Sequence, residues 1–279
     1  MVEVKDPGFR IGPCEDILFV GSCFADSIGQ RFLENGFRAV VNPFGVMYNP
    51  ASILHTIQRS TQRVKTAFLT LGTNHVYRLK ETGEIVDNCQ KRPQSLFSEE
   101  ELTVEECADY LGRSVALLRE KNPGVNIVLT VSPIRYRKYG YHESQLSKAT
   151  LLLAVERIVL SSRLSYFPSY EILNDELRDY RFYKSDMLHP SEQAVDYIWE
   201  RLVETYFSAE ARSFLEEWRP VRQALAHKPF NPESEEYLRF QEQTRQRLAA
   251  LREKYPLMEE VKEVKEVKEV KEVKEVKGS

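Results

Sequence analysis

Cysteine is scarce in this chain of 279 residues: Cys14, Cys23, Cys89 and Cys107 are scattered, with no metal-ligand spacing. That excludes a disulfide-stapled scaffold and a zinc-finger framework, and in a cytosolic protein these thiols are expected to be reduced. No His/Asp/Glu cluster has ligand spacing either, which disfavours a metal-dependent hydrolase, and no metal is expected. Neither sign of charge dominates. With a formal net charge of −3, no global field favours nucleic acid or an anionic membrane, and neither is an expected partner. Long apolar runs are missing, so no stretch spans a bilayer, and Met1-Val2-Glu3-Val4-Lys5-Asp6 lacks the apolar core of a signal peptide. No glycine-rich loop is built to cradle phosphates, and no cofactor is read from the sequence. The expectation is a soluble cytoplasmic protein.

What remains is a globular composition, 42% hydrophobic and 29% charged, enough for one large α/β domain with an appendage or for two small domains. Short apolar runs at Ile17–Val20, Ala67–Leu71 and Ile127–Val131, and a weaker one at Tyr166–Leu173, end in breakers or polar turns and read as strands. Helical spacing fills Ala25–Leu33, Leu102–Lys121, Ser147–Leu160 and Ser191–Phe207, with Pro190 expected at the first helical position of the last. Strands alternating with helices predict a mostly parallel sheet covered on both faces, a three-layer α/β sandwich with functional loops at the strand carboxyl ends. Val76–Val86 reads as a hairpin about Thr82-Gly83. Beyond Phe207 the chain becomes strongly charged, and Ala209–Trp218 and Ser234–Tyr255 read as helices that pack on the domain or on another subunit, a route to homo-oligomers. Six Glu-Val-Lys copies from Glu260 to Lys277 carry valine around every side of a helix, so a largely disordered tail is expected. The resulting division is residues 1–207, a charged helical extension over 208–258 and a tail over 259–279.

Chemistry concentrates in loops. The run Ile17-Leu18-Phe19-Val20 stops at Gly21-Ser22-Cys23-Phe24 and turns straight into a helix. Such a turn presents a nucleophile at the sheet edge, beside helix N–H groups that favour developing negative charge. Asp186-Met187-Leu188-His189-Pro190 places a histidine three residues after an aspartate, ahead of a helix. His189 can act as base while Asp186 fixes its tautomer, although a helix cap accounts equally for the aspartate. Asn42-Pro43-Phe44-Gly45 and Gly72-Thr73-Asn74 lie in neighbouring loops. Arg135, after the strand Ile127–Val131, is placed to hold a carboxylate or phosphate of a substrate, or to pair with a surface acid. Asn88, Cys89 and Gln90 line the cleft in this reading. The loop Tyr139-Gly140-Tyr141-His142 covers the site, with tyrosines offering sugar-stacking faces or ordinary packing.

Gly-Ser-Cys-Phe-Ala at 21–25, Asn-Pro-Phe-Gly-Val at 42–46, Ser132-Pro133-Ile134-Arg135 and Leu146-Ser147-Lys148-Ala149-Thr150-Leu151 resemble the GSCFA family over roughly residues 10–207. That family resembles the SGNH (GDSL-like) hydrolase superfamily, whose nucleophile lies two residues after the first-block glycine. The resemblance therefore implies an SGNH or flavodoxin-like sandwich with Cys23 as nucleophile, in place of the superfamily serine. A turn shifted by one residue makes Ser22 the nucleophile instead. It further implies oxyanion donors at the Cys23 N–H, the Gly45 N–H and the Asn74 side-chain amide, with His75 where an aspartate often follows. The residues themselves allow equally that Pro43 and Gly45 simply make a turn and that Asn74 caps the hairpin.

The expected function is an acyl-ester hydrolase or acyltransferase working through a covalent acyl-enzyme on O-acylated carbohydrate or a related small ester or thioester. The competing reading is a non-catalytic binding or assembly module in which Cys23 is a small buried residue and the charged C-terminal helices are the working surface.

Overall fold

In the computed structural model, which describes residues 1–87, 92–161, 164–231 and 233–258, the apolar runs become the inner strands of a parallel sheet. In chain order the strands are β1 (Asp16–Gly21), β2 (Arg38–Val41), β3 (Thr66–Leu71), β4 (His75–Leu79), β5 (Ile85–Val86), β6 (Phe97–Glu101), β7 (Asn126–Val131) and β8 (Ser165–Tyr166). The helices are α1 (Cys23–Glu34), α2 (Pro50–Arg59), α3 (Val104–Lys121), α4 (Tyr141–Ser161), the single turn α5 (Ser169–Glu171), α6 (Glu192–Tyr206), α7 (Ala209–Ala226) and α8 (Glu235–Lys254).

The main sheet runs β2-β1-β3-β7-β8 with every pair parallel. From β1 the chain winds first to β2 on one side, then to β3 on the other. The order therefore reverses between β1 and β3, and a crevice opens beyond their carboxyl ends. A small antiparallel sheet, β5-β4-β6, grows from the loop after β3.

Side-chain alternation along the strands splits the core in two, as a sheet covered on both faces requires. Ile17, Phe19, Phe68 and Val128 pack with Phe24, Ile28 and Phe32 of α1 and with Val195, Ile198 and Leu202 of α6. Leu18, Val20, Leu69, Ile127 and Leu129 pack on the other face with Ile53 and Ile57 of α2, Leu111 and Val115 of α3 and Leu151 of α4. The three-layer α/β sandwich is the observed architecture. Helix starts follow capping chemistry: Ser22, Asn49, Thr103 and Ser191 accept backbone N–H bonds at the heads of α1, α2, α3 and α6. Thr103 and Glu106 complete a reciprocal capping box.

Two expectations change. The weak run Tyr166–Leu173 pairs only through Tyr166, because Pro168 has no N–H to extend the ladder and the chain turns into α5 and a π-helical turn, Ile172–Leu177. Pro190 precedes the cap instead of opening the helix: it bridges Tyr183, Ser191 caps, and α6 begins at Glu192. Strand β2 and helix α2 were hidden between charged and polar residues. Of the two placements open to the C-terminal helices, α7 takes the one on the domain. α7 runs on through Pro220 to Ala226 and buries Ala211, Phe214, Trp218 and Val221 in the cluster that covers β1 and β3. The Trp218 indole N–H donates to the Glu34 carbonyl at 2.8 Å, and Leu251, Tyr255 and Met258 close over the same cluster. The expectations for Asn88, Cys89 and Gln90 and for the Glu-Val-Lys tail lie outside the described residues. No described helix is long and apolar enough to cross a membrane.

Candidate active site

The turn out of β1 depends on Gly21. Its φ of +150° is a backbone state that L side chains rarely adopt, and a Cβ there would lie 2.1 Å from the Thr70 carbonyl oxygen of β3. Asn42 holds the turn from the other side: its Oδ1 accepts the Gly21 N–H at 2.8 Å while its Nδ2 donates to Asp26 of α1 at 2.6 Å.

The two nucleophile candidates then part company. Ser22 is fully buried; its Oγ accepts the Phe24 N–H and its own N–H donates to the Thr70 carbonyl at 3.1 Å. It is the cap of α1. Cys23 is the first residue of α1 and half-buried, among the first-turn N–H groups that have no acceptor within the helix. Its Sγ meets the Tyr48 hydroxyl at 3.7 Å.

Tyr48 belongs to a segment that ties the ends of β1 and β3 together. The Met47 N–H donates to the Gly21 carbonyl, and the Tyr48 carbonyl accepts the N–H groups of both Gly72 and Thr73, each bond 2.8 Å long. The ring packs edge-on to Tyr136, at 5.7 Å and 88°. Burial, then the contact with Cys23, pushes the Tyr48 hydroxyl up to about 12, so it remains a proton donor across the physiological range.

Below this crevice, α4 supports the loop after β3. The Lys148 ammonium, wholly enclosed, donates to the Gly72 carbonyl at 2.6 Å, and burial pushes it down to about 7. The Ser147 hydroxyl bonds the Thr73 hydroxyl at 3.0 Å and accepts the Asn74 N–H at 3.1 Å. A Cβ on Gly72 would meet the Tyr136 hydroxyl at 2.7 Å.

The second half of the site hangs on the segment leaving β7. Arg135 donates its backbone N–H to the Leu188 carbonyl and its Nη1 to the Met187 carbonyl, both at 3.1 Å, with its guanidinium over the Tyr141 and Tyr183 rings. The Asp186–His189 loop is thus fastened at the same sheet edge as Cys23. Asp186 does not cap α6, which Ser191 does, but it ties the loop together and meets the imidazole. Its Oδ1 accepts the N–H groups of Leu188 and His189, and its Oδ2 pairs with His189 Nδ1 at 2.6 Å. Those backbone bonds first, and the imidazole after them, hold its carboxyl down at about 2. With Nδ1 facing a carboxylate, Nε2 is the ring nitrogen left to accept a proton.

Three expected site residues are occupied otherwise. The Gly45 N–H donates to the Asn42 carbonyl at 2.8 Å, closing a turn instead of facing a substrate. The Asn74 amide donates to the Leu102 carbonyl at 2.8 Å and anchors the strand end at the head of α3. Arg135 grips loop carbonyls and aromatic faces, with no acid partner among the described residues. Tyr139 stacks on His75 at 3.7 Å, so that face is filled. Tyr48, Tyr136 and Lys148 were not singled out for chemistry. The available signal was their placement: Tyr48 lies two residues after the Asn-Pro-Phe-Gly-Val loop, and Lys148 sits one and two turns before Leu151 and Val155, apolar positions of the same helix.

A family model described as the GSCFA family matches residues 16–67 and 57–202, which carry β1 to α6 and every site residue named above. The chain belongs to the GSCFA family. A second model, the GSCFA domain protein C-terminal domain, matches residues 218–270 and begins inside α7. A comparison with curated proteins gives no match. Among solved structures, this GSCFA chain is similar to an Axe2 mutant, an acetyl-xylooligosaccharide esterase from Geobacillus Stearmophilus (13% identity, TM-score 0.49, covering 71% of this chain and 96% of that one). It is also similar to a member of the lipolytic protein G-D-S-L family from Veillonella parvula (11% identity, TM-score 0.46, 68% and 97%). A carbohydrate esterase family 3 protein from Talaromyces cellulolyticus aligns at 10% identity and TM-score 0.41, covering 73% and 99%.

Proposed function

We propose that this GSCFA protein transfers acyl groups through a thioester formed on Cys23, with His189 as the base and Asp186 as the residue that orients it. The observation that carries this reading is the division of labour at the elbow: Ser22 is buried and spent on capping α1, whereas Cys23 stands half-open at the helix amino terminus. A thiolate there faces first-turn N–H groups, and a carboxylate-paired imidazole on the same sheet edge can take up its proton.

The steps balance simply. The thiol proton passes to His189 Nε2, Sγ attacks the acyl carbonyl carbon, and a tetrahedral oxyanion forms. Collapse breaks the carbon–oxygen bond of an ester, and the leaving alkoxide takes the proton from His189. Water then attacks the thioester with His189 as base, releasing the acid and restoring the thiol; a sugar hydroxyl in place of water gives a transferase. O-acylated carbohydrate, or a related small ester or thioester, is the substrate class we infer from the SGNH resemblance.

Peptide mapping by mass spectrometry after brief exposure to 4-nitrophenyl acetate tests the assignment. An acetyl group on Cys23 that disappears in His189→Ala is the expected result. Label on Ser22 moves the nucleophile; no His189-dependent label at either residue removes the acyl-enzyme.

A further inference from the structure

Two of the expected oxyanion donors are engaged elsewhere, since the Gly45 N–H closes a turn and the Asn74 amide donates one of its N–H bonds to the Leu102 carbonyl. One other donor reaches the reacting sulfur. We propose that the Tyr48 hydroxyl, together with the Cys23 N–H, forms the oxyanion hole of this enzyme. The inference rests on the cysteine acyl-enzyme reading and adds a catalytic residue to it.

Three observations carry it. The hydroxyl lies 3.7 Å from Cys23 Sγ and on the solvent-reached side of the residue, so a substrate bound to sulfur lies beside it. An oxyanion created by attack at sulfur stands only two bonds from Sγ, within hydrogen-bond range of a group so placed. Finally, the mount is rigid. Residues 47 and 48 are bonded through main-chain atoms to the ends of both β1 and β3, and Tyr136 fixes the ring edge-on. A donor held this way needs no reorganisation when charge appears, which is the condition under which a single oxyanion contact matters most.

The charge moves in one direction during attack. As the Sγ–carbon bond forms, the carbonyl π pair shifts onto oxygen, and the Tyr48 hydroxyl shifts its hydrogen bond from sulfur to that oxygen. It keeps its proton throughout. Collapse returns the pair to the carbonyl and expels the alkoxide, which takes the proton from His189.

Tyr48→Phe separates this role from a mere effect on the thiol. The variant keeps the ring, its contact with Tyr136 and the main-chain bonds, losing one solvent-reached hydroxyl. A thermal midpoint at the wild-type value establishes that it folds. Two reactions of Cys23 are then timed in both proteins: acetylation by 4-nitrophenyl acetate, which passes through an oxyanion, and alkylation by iodoacetamide, which does not. Acetylation slowed about 100-fold to 1,000-fold, with alkylation changed by less than about threefold, is the expected result. Equal acetylation rates overturn the proposal. So does a parallel fall in both reactions, which makes Tyr48 a modulator of the thiol alone. A wild-type protein that alkylates at Cys23 but never acetylates there removes the acyl-enzyme and this inference together, whereas acetylation that ignores Tyr48 removes only this inference.

Discussion

Lys148 reaches from α4 to the Gly72 carbonyl at 2.6 Å, a buried amine holding the loop that follows β3. Its folded pKa, about 7, lies below the ordinary lysine value, because burial penalises the charged form. Between pH 7 and the ordinary lysine range the unfolded chain therefore binds more protons than the folded one, and this residue makes stability rise with pH across that window. The slope is at most about 1.4 kcal/mol per pH unit. Lys148→Met should flatten it, so the stability difference between wild type and variant, from urea unfolding at pH 7, 8 and 9, should change steadily. A constant difference would show that the amine is not desolvated. Comparing differences matters because Cys14 and Cys107, pushed up to about 12 by burial, act in the opposite sense above the free-thiol pKa.

Ser22→Ala should lower stability by about 1 kcal/mol through loss of the cap, while Cys23 still accepts an acetyl group. Cys23→Ala should fold and accept none. Mass mapping and denaturant midpoints on the two variants check both halves, and loss of label in a folded Ser22→Ala protein would reverse the assignment.

Iodoacetamide should label Cys23 well ahead of Cys14 and Cys107. The latter two are enclosed, and their thiols stay protonated because burial disfavours the thiolate. Time-resolved peptide mapping at pH 8 gives the order directly.

Arg135→Ala should slow acetylation and alkylation of Cys23 together, by about 10-fold, because the change frees the Met187 carbonyl and lets drift the loop that carries His189, the base for the thiol in both reactions. Arg135→Lys should recover only part of the loss, since a lysine ammonium does not reproduce the planar contact with Tyr141 and Tyr183. Unchanged rates in both reactions would show that the His189 loop holds its place without Arg135.

Phe214→Ala should cost about 3–5 kcal/mol and shift the unfolding of the whole protein, not of a separate C-terminal unit. Phe214 sits in the cluster that includes Phe37, against which its ring packs edge-on at 5.7 Å. Two resolved transitions in calorimetry would contradict a shared core.

The sheet was legible because its inner strands are buried on both faces and read as unbroken apolar runs, as in Ile17–Val20 and Ile127–Val131. The edge strand β2 was not, since Arg38-Ala39-Val40-Val41 is half-buried and short. The elbow was visible for a local reason: a glycine stopping an apolar run before a helix has few other uses. The same holds for Asp186 and His189, whose three-residue spacing lets one carboxylate cap the loop and meet the ring. The oxyanion donors were not legible, because a hydrogen-bond partner distant in sequence decides whether an N–H is free. Nothing around Asn74 announces that its amide reaches Leu102, whereas the Gly45 bond back to Asn42 is a local turn that Pro43 and Gly45 do suggest. Tyr48 escaped for the converse reason: its position is set by main-chain bonds to Gly72 and Thr73, which any residue type could make.

Those main-chain bonds separate the shape of the crevice from the identity of its side chains. Met47 and Tyr48 are fastened to the ends of β1 and β3 by peptide groups as well as by their side chains, while Phe44 and Gly45 just before them stand exposed. A loop anchored in this way can exchange its outward residues over evolution without moving the sulfur or the hydroxyl beside it. If the proposed acyl transfer holds, substrate preference and chemical competence can then diverge independently, and swapping residues 43–46 between homologous chains is the place to begin altering which ester acylates Cys23.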